Sequence, residues 1–259
     1  MTQPQAGILD HYRKLLFFAL HRFEGDNYRL MGEYFTGVLI AEIEQFASLA
    51  GKRVLDVGGA SGVFCKELSR RRQCRAVNLD PKPGDAVWPD TVVASAERIP
   101  FEDDAFDVVL CRGVLEHVPL ADQQASVNEM HRVVRPGGIC YITIPPWYNP
   151  HAGHRLKPFH VLPFGAAKFL RRAIFGTTVQ AASYAEMGYY PVTFRRMARL
   201  IRASGLQVLA TRDTHLRVHF LTHIPLVREV AVPAVSFILR KRAPRPIGRP
   251  TSPAPSGRA

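Results

Sequence analysis

The sequence predicts an α/β fold built on a doubly wound, mainly parallel sheet. Three observations carry that expectation. Short apolar runs rich in β-branched residues alternate with stretches of helical spacing, as strands joined by crossover helices do. The first run, Arg53 to Val57, leads into a glycine-rich turn, Gly58-Gly59-Ala60-Ser61-Gly62, and then into the helical start Val63-Phe64. Asp56, Gly58, Asp80, Ser95 and Arg112 all fall at the carboxyl ends of predicted strands. Ligands of open α/β sheets bind there.

Residues 1–50 read as helices. Ile8, Tyr12, Leu15, Leu16 and Ala19 form one stripe at helical spacing. Leu39, Ile43, Phe46, Ala47 and Ala50 form a second, expected to pack on the sheet. Phe17, Phe18 and Phe23 lie outside a single stripe, so the first helix reads as plain packing, a lid or an interfacial surface.

Glycines in the turn at 58–62 let the backbone bend and approach a ligand closely. The free N–H groups of the following helix attract polar or anionic groups. A carboxylate at Asp56, inside the strand end, is costly unless it binds something. The helix after the turn ends in Arg70-Arg71-Arg72, cations that suit a last helical turn and need no partner. A second strand runs from Cys74 to Asp80, with Pro81 after it. Asp80 lies about 18 residues beyond Gly62, near the spacing at which nucleotide-binding units place a carboxylate on two ribose hydroxyls. The dinucleotide fingerprint Gly-x-Gly-x-x-Gly fails in both registers, because Ala60, Ser61, Val63 and Phe64 stand where its glycines belong.

Further strands are expected at Thr91–Ser95, Val108–Arg112 and Ile139–Ile144. Between the last two, a helix with Val127, Met130 and Val134 stops at Arg135-Pro136-Gly137-Gly138. From Pro145 to about Pro191 some 45 residues mix aromatics, histidines and cations, longer than an ordinary connection. This insertion reads as a substrate cap suited to a sugar or to a phosphorylated or lipid-linked acceptor. Thr193 caps a helix with Phe194, Met197, Ala198 and Ile201 inward, a basic solvated face, and Gly205 at its end. Gln207 to Thr211 is the sixth strand. Val230 to Leu239 has two readings, an interfacial anchor flanked by cations or a strand from Val235 to Arg240. The strand is preferred because ten apolar residues cannot span a bilayer. Residues 243–259, rich in Pro, Arg, Ser and Gly, read as a disordered tail.

Composition bounds the function. The chain has 259 residues and is 47% hydrophobic, with no apolar run of transmembrane length and no secretory cleavage pattern, so it reads as cytoplasmic. Cys65, Cys74, Cys111 and Cys140 form no Cys-x-x-Cys pair and read as buried thiols, with no metal site. Net charge is +12, and Arg240 to the end holds six basic residues and no acidic one. A solvated tail explains this plainly. The sharper readings are an anionic membrane surface, at the inner face of the membrane, or an anionic substrate. Nucleic acid ranks last because no recognition module is present.

Asp56-Val57-Gly58-Gly59-Ala60-Ser61-Gly62 resembles the signature of class I S-adenosylmethionine-dependent methyltransferases, with Ala60 in place of the middle glycine. The block from Ser95 through Ala96-Glu97-Arg98-Ile99-Pro100-Phe101 to Asp107 resembles the methyltransferase type 11 subgroup, with Ser95 in place of its adenine-contacting aspartate. Gly113-Val114-Leu115-Glu116-His117-Val118 is similar to the family segment under the sulfonium. Gly153-His154 followed by His160 resembles bacterial methyltransferases of cell-envelope glycoconjugate pathways.

The resemblance implies a Rossmann-like, seven-stranded doubly wound sheet whose last strand is antiparallel. Its domain spans 51–242, with a cap at about 146–190 and helices or a lid at 1–50. S-adenosyl-L-methionine is the implied cofactor, held by Asp56, Gly58, Gly59, Ala60, Gly62, Asp80, Pro81, Ser95, Ala96, Glu97, Arg112 and Gly113. The expected acceptor is a hydroxyl of a small-molecule or lipid-linked glycan. His154 or His160, and after them His117, is the expected base, although a structural role fixing the loop is preferred for His117. A small lipid or polyketide-like acceptor, methylated at carbon or oxygen, is the alternative. An inactive cofactor-binding module that docks on membranes is the alternative from another class.

Overall fold

In the computed structural model, which describes residues 7–21, 24–85 and 88–243, seven strands join in one sheet. They are β1 (Arg53–Val57), β2 (Arg75–Leu79), β3 (Thr91–Val92), β4 (Phe106–Arg112), β5 (Val134–Ile144), β6 (Gln207–Arg212) and β7 (Val235–Arg240). Their order is β3-β2-β1-β4-β5-β7-β6. The first five pair in parallel, and β7 runs antiparallel between β5 and β6. The chain winds outward from β1 to β2 and β3, then returns to start β4 on the other side. The reversal opens a crevice at the carboxyl ends of β1 and β4.

Alternation along the strands sends side chains into two layers. Val54, Leu110, Tyr141 and Ile238 pack against Leu39, Ile40 and Ile43 of α2 (Asn27–Ile43) and Phe64, Cys65 and Leu68 of α3 (Val63–Arg72). Leu55, Val57, Val109, Ile142 and Phe237 pack on the other face. Their partners are Val127, Met130 and Val133 of α4 (Gln123–Val133) and Met197, Leu200 and Ile201 of α6 (Phe194–Ser204). A fully buried side chain of this size contributes roughly 1.5–3 kcal/mol. Because α2 is part of this core, the N-terminal segment is continuous with the sheet layer. The four cysteines are free and buried, as expected.

Several local expectations change. In α1 (Ile8–His21), whose packing the spacing left open, the stripe residues Ile8, Tyr12 and Leu16 are exposed. The helix is held by buried His11, whose ring nitrogens meet the Tyr34 hydroxyl and the His215 carbonyl at 2.7 Å each, and by buried Phe18. Phe23 and the Ala19 side chain lie outside what is described, as does the predicted tail beyond residue 243. The arginines closing α3 do have partners. Arg70 and Arg71 bond Glu67 one turn back, and Arg72 makes a paired contact with Glu44. The stop at Arg135-Pro136-Gly137-Gly138 is already strand, because α4 ends at Val133 and Val134 is buried in β5. Thr193 caps α6 as predicted, its hydroxyl accepting the Arg196 N–H, and Gly205 ends it in the left-handed region. One arginine of its basic face is anchored: Arg196 Nε donates to Gln123 Oε1 at 2.5 Å.

The insertion after β5 contains α5 (Phe164–Phe175) and a core of its own. Leu156, Ala167 and Val179 are buried there, with Phe159, Phe164, Tyr184 and Met187 around them. The segment before β7 carries a short helix, α7 (Val227–Val230).

Candidate active site

Asp56 sits at the end of β1 on the α3 side of the sheet and is 1% exposed. Its Oδ2 accepts from Arg112 of β4 at 3.0 Å, and the Arg112 guanidinium lies 3.8 Å over the Phe64 ring. Stacking and ion pairing together fix the guanidinium as they rarely would a lysine. The other oxygen, Oδ1, is buried with no partner. A buried carboxylate oxygen in that state is an acceptor facing an absent donor.

The turn after β1 is shaped by what lies under it. A Cβ at Gly59 would fall 2.2 Å from Asn78 Oδ1 and 2.7 Å from Asp56 Oδ2, so only glycine fits. Asn78, fully buried in β2, donates from Nδ2 to the Ala60 carbonyl at 2.8 Å and pins the turn from below. Ala60 itself has φ +50°, in the region where a Cβ is strained. Its amide donates to Asp80 Oδ2 at 2.9 Å, and the Lys82 amide donates to Oδ1 at 2.8 Å. Each carboxylate oxygen keeps a second lone pair. Asp80 is therefore oriented by the chain and still able to accept from a diol. Pro81 beside it is exposed.

Ser95, Ala96 and Glu97 follow β3, with Ala96 buried and the Ser95 carbonyl accepting the Arg98 amide. Arg132 of α4 fixes the stretch that follows by donating to the Ile99 and Phe101 carbonyls at 2.9 and 2.7 Å while paired with Glu129. Gly113, at φ +66°, turns the chain after β4. A 3-10 turn at Leu115–His117 comes next, held from behind by Gln123 Nε2, which donates to the Leu115 and Val118 carbonyls.

This turn meets the cap. The Tyr190 amide donates to the Glu116 carbonyl at 2.7 Å, and His117 Nδ1 bonds the Gly188 carbonyl at 2.8 Å. The His117 and His154 rings stand edge to face at 4.9 Å, and Tyr189 stands 4.5 Å from His154. Both histidines are exposed. Partial desolvation on the packed side of the exposed ring, followed by the neighbouring His117, Lys157 and His160, lowers the His154 pKa below the ordinary imidazole value. His154 also holds a left-handed backbone, φ +45°.

Glu116 lies behind them, 4% exposed, its Oε2 without a partner, and burial raises its pKa to about 7. His160, expected as a base, is placed otherwise. It is fully buried, Nε2 bonds the Trp147 carbonyl at 2.6 Å, and its ring fills the space where a Gly153 Cβ would be. That environment makes it a packing residue of the cap and removes it from the crevice.

Sequence reasoning thus brings Asp56, the turn at 58–62, Asp80, Arg112, Gly113, His117 and His154 to one edge of the sheet. Glu116, Asn78 and Gln123 were given no role, and Tyr189 counted only as one of the aromatics of the insertion. Asn78 carried a signal, a lone amide inside an apolar strand. Glu116 carried one too, a carboxylate next to the histidine that was weighed.

A glycine turn and strand-end carboxylates at the switch point of this sheet define the class I methyltransferase architecture. The chain belongs to the S-adenosylmethionine-dependent methyltransferase family: residues 55–142 match the family model described as a methyltransferase domain. An uncharacterized methyltransferase of Mycobacterium leprae is 32% identical over 202 residues, covering 74% of this chain and 73% of the relative. Solved structures share the fold. The Burkholderia thailandensis 1,6-didemethyltoxoflavin-N1-methyltransferase, with 1,6-didemethyltoxoflavin and S-adenosylhomocysteine bound, has a TM-score of 0.52 at 14% identity and covers 94% of each chain. The geranyl diphosphate C-methyltransferase of Streptomyces coelicolor has a TM-score of 0.55 at 13% identity, covering 92% of this chain and 86% of its own.

Proposed function

We propose that this methyltransferase moves the methyl group of S-adenosylmethionine to a hydroxyl of a sugar or of a lipid-linked cell-envelope glycoconjugate. The cofactor fits the residues at the switch point. The unpartnered Asp56 Oδ1 suits the ammonium of its methionyl end, and Asp80 suits the two ribose hydroxyls. The turn from Gly58 to Gly62 brings backbone close to the ligand, and Pro81, Ser95, Ala96 and Glu97 border the adenine. Arg112 holds the Asp56 carboxylate in place through their ion pair, and Gly113 leaves room for the sulfonium. The sulfonium makes the methyl electrophilic, so the protein's work is to align an acceptor oxygen and keep water out. With the cofactor bound, the residues around it would hold an acceptor oxygen in line with the methyl, which would pass to that oxygen with S-adenosylhomocysteine as the leaving product. His154, neutral near pH 7 and exposed, takes the acceptor proton, with His117 beside it.

One observation carries the acceptor class. The insertion that bears His154 also bears α5, where Phe169, Ile174 and Phe175 are 69%, 59% and 53% exposed beside Lys168, Arg171 and Arg172. An apolar face flanked by cations suits a lipid surface with anionic headgroups. Among the described residues no helix is long and apolar enough to cross a membrane, so contact would be peripheral. Tyr148, Arg155 and Lys157 are exposed on the same insertion and offer stacking and charge to a sugar or phosphate. An acceptor screen that follows S-adenosylhomocysteine release tests this. Turnover on glycans or lipid-linked sugars supports it. Turnover only on small isoprenoid or polyketide lipids replaces the acceptor, and cofactor binding without turnover on any acceptor supports an inactive module.

A further inference from the structure

We infer that Glu116, His117 and His154 form a binding site for one divalent transition-metal ion of the zinc and cobalt kind, closing the cap onto the sheet edge. Among the described residues, one ligand atom from each of the three lies within 4.8 Å of the others. Glu116 and His117 come from the turn after β4, and His154 comes from the insertion, so an ion shared by them ties one to the other.

Three features distinguish this trio from a chance cluster. The Glu116 carboxylate is almost wholly buried, yet Oε2 has no partner, so something outside the chain is needed to satisfy it. The His117 Nδ1 bond to the Gly188 carbonyl fixes the tautomer and leaves Nε2 as a lone-pair donor, the usual outer support of a metal-bound imidazole. Both imidazoles are exposed, which leaves coordination positions open toward the crevice. Two imidazoles and one carboxylate suit zinc, cobalt or iron, whereas magnesium and calcium prefer oxygen. Three protein ligands with an open fourth position is the pattern of a catalytic ion. Ligand bonds of about 2.0–2.2 Å require the exposed rings to close in by roughly 1 Å.

The use of the ion deepens the methyl-transfer reading and rests on it. With the ion bound the His154 lone pair is occupied, so an acceptor hydroxyl in the open position would lose its proton to water in place of His154, and its oxygen would then take the methyl as the C–S bond broke. Binding itself does not depend on that reading. The test is titration of the full chain, stripped by a chelator, with Zn2+ by calorimetry and with Co2+ by its visible spectrum. One ion per chain is expected. His117→Ala, His154→Ala and Glu116→Gln should each weaken binding by at least about a hundredfold, since even outer partners of a metal ligand cost about 10–100-fold. His151→Ala, nearby and exposed, should bind as the parent does. Circular dichroism and S-adenosylmethionine titration of each variant show that it is folded. Absence of stoichiometric binding by the parent overturns the inference, as does binding that survives in all three folded variants. Ion binding without S-adenosylmethionine binding would leave the site standing and sink the methyl-transfer reading instead.

Discussion

The two banks of the crevice hold their carboxylates in opposite ways. On the β1–β2 bank, Asp56 is paired with Arg112 and Asp80 is held by two backbone amides. On the cap bank, Glu116 is buried with one oxygen unpartnered and its pKa is lifted to about 7. The first arrangement is a fixed, charged cradle. The second is a reactive corner whose charge state changes near neutrality. Under the proposed function, cofactor holding falls to one bank and proton or ion chemistry to the other, and each proposal can be attacked separately.

The largest expected effect lies on the cap bank. His154→Ala should lower turnover by about 10²–10⁴-fold, the usual worth of a general base, while S-adenosylmethionine affinity stays at the parent value. Equal turnover would remove His154 from the chemistry and leave His117 to be tested.

Next comes the pH dependence of stability. Glu116 ionises near 4.5 in the unfolded chain and near 7 in the folded one. The folded state therefore holds its proton longer, and stability falls as pH rises from about 4.5 to about 7, by an amount on the order of 3 kcal/mol. Urea unfolding across that range should show the decline, and Glu116→Gln should flatten it. A profile identical in the two proteins would mean that Glu116 is solvated.

On the cradle side, Gly59→Ala drives a methyl into Asn78 and Asp56. It should cost about 1–3 kcal/mol in thermal unfolding, as overpacking does, and should abolish S-adenosylmethionine binding. The smallest effect is a gain. Ala60→Gly relieves a Cβ at φ +50° and should stabilise the turn by about 1 kcal/mol while tightening cofactor binding, measured by the same titration. A loss at Ala60→Gly would show that the alanine methyl makes a useful contact.

The cradle was legible in the sequence because its parts are local. Strand, glycines and the Asp80 spacing lie within one βαβ unit, and the structure assembles them as that spacing implies. β7 from Val235 to Arg240 was legible too, since its apolar run is too short to span a bilayer and the implied fold needs a seventh strand. Of the reactive corner, His117 and His154 were named from the sequence, but Glu116 and the contacts that join them were not, because the partners are far apart in the chain. His117 meets Gly188, Glu116 meets Tyr190, and Gln123 meets Arg196 through contacts that no periodicity records. His160 misled for the same reason. A histidine in an aromatic-rich insertion reads alike whether its ring faces a cleft or packs on a glycine. The direction of the α1 stripe was left open, because helical spacing defines a stripe without saying which way it turns.

Calorimetric titration of S-adenosylmethionine into Asp80→Ala and His154→Ala, side by side with the parent, separates the two banks most directly and needs no acceptor. Loss of binding in Asp80→Ala with parent-like binding in His154→Ala is the expected result. Parent-like binding in Asp80→Ala, with loss in His154→Ala, would place the cofactor on the wrong bank and contradict the division.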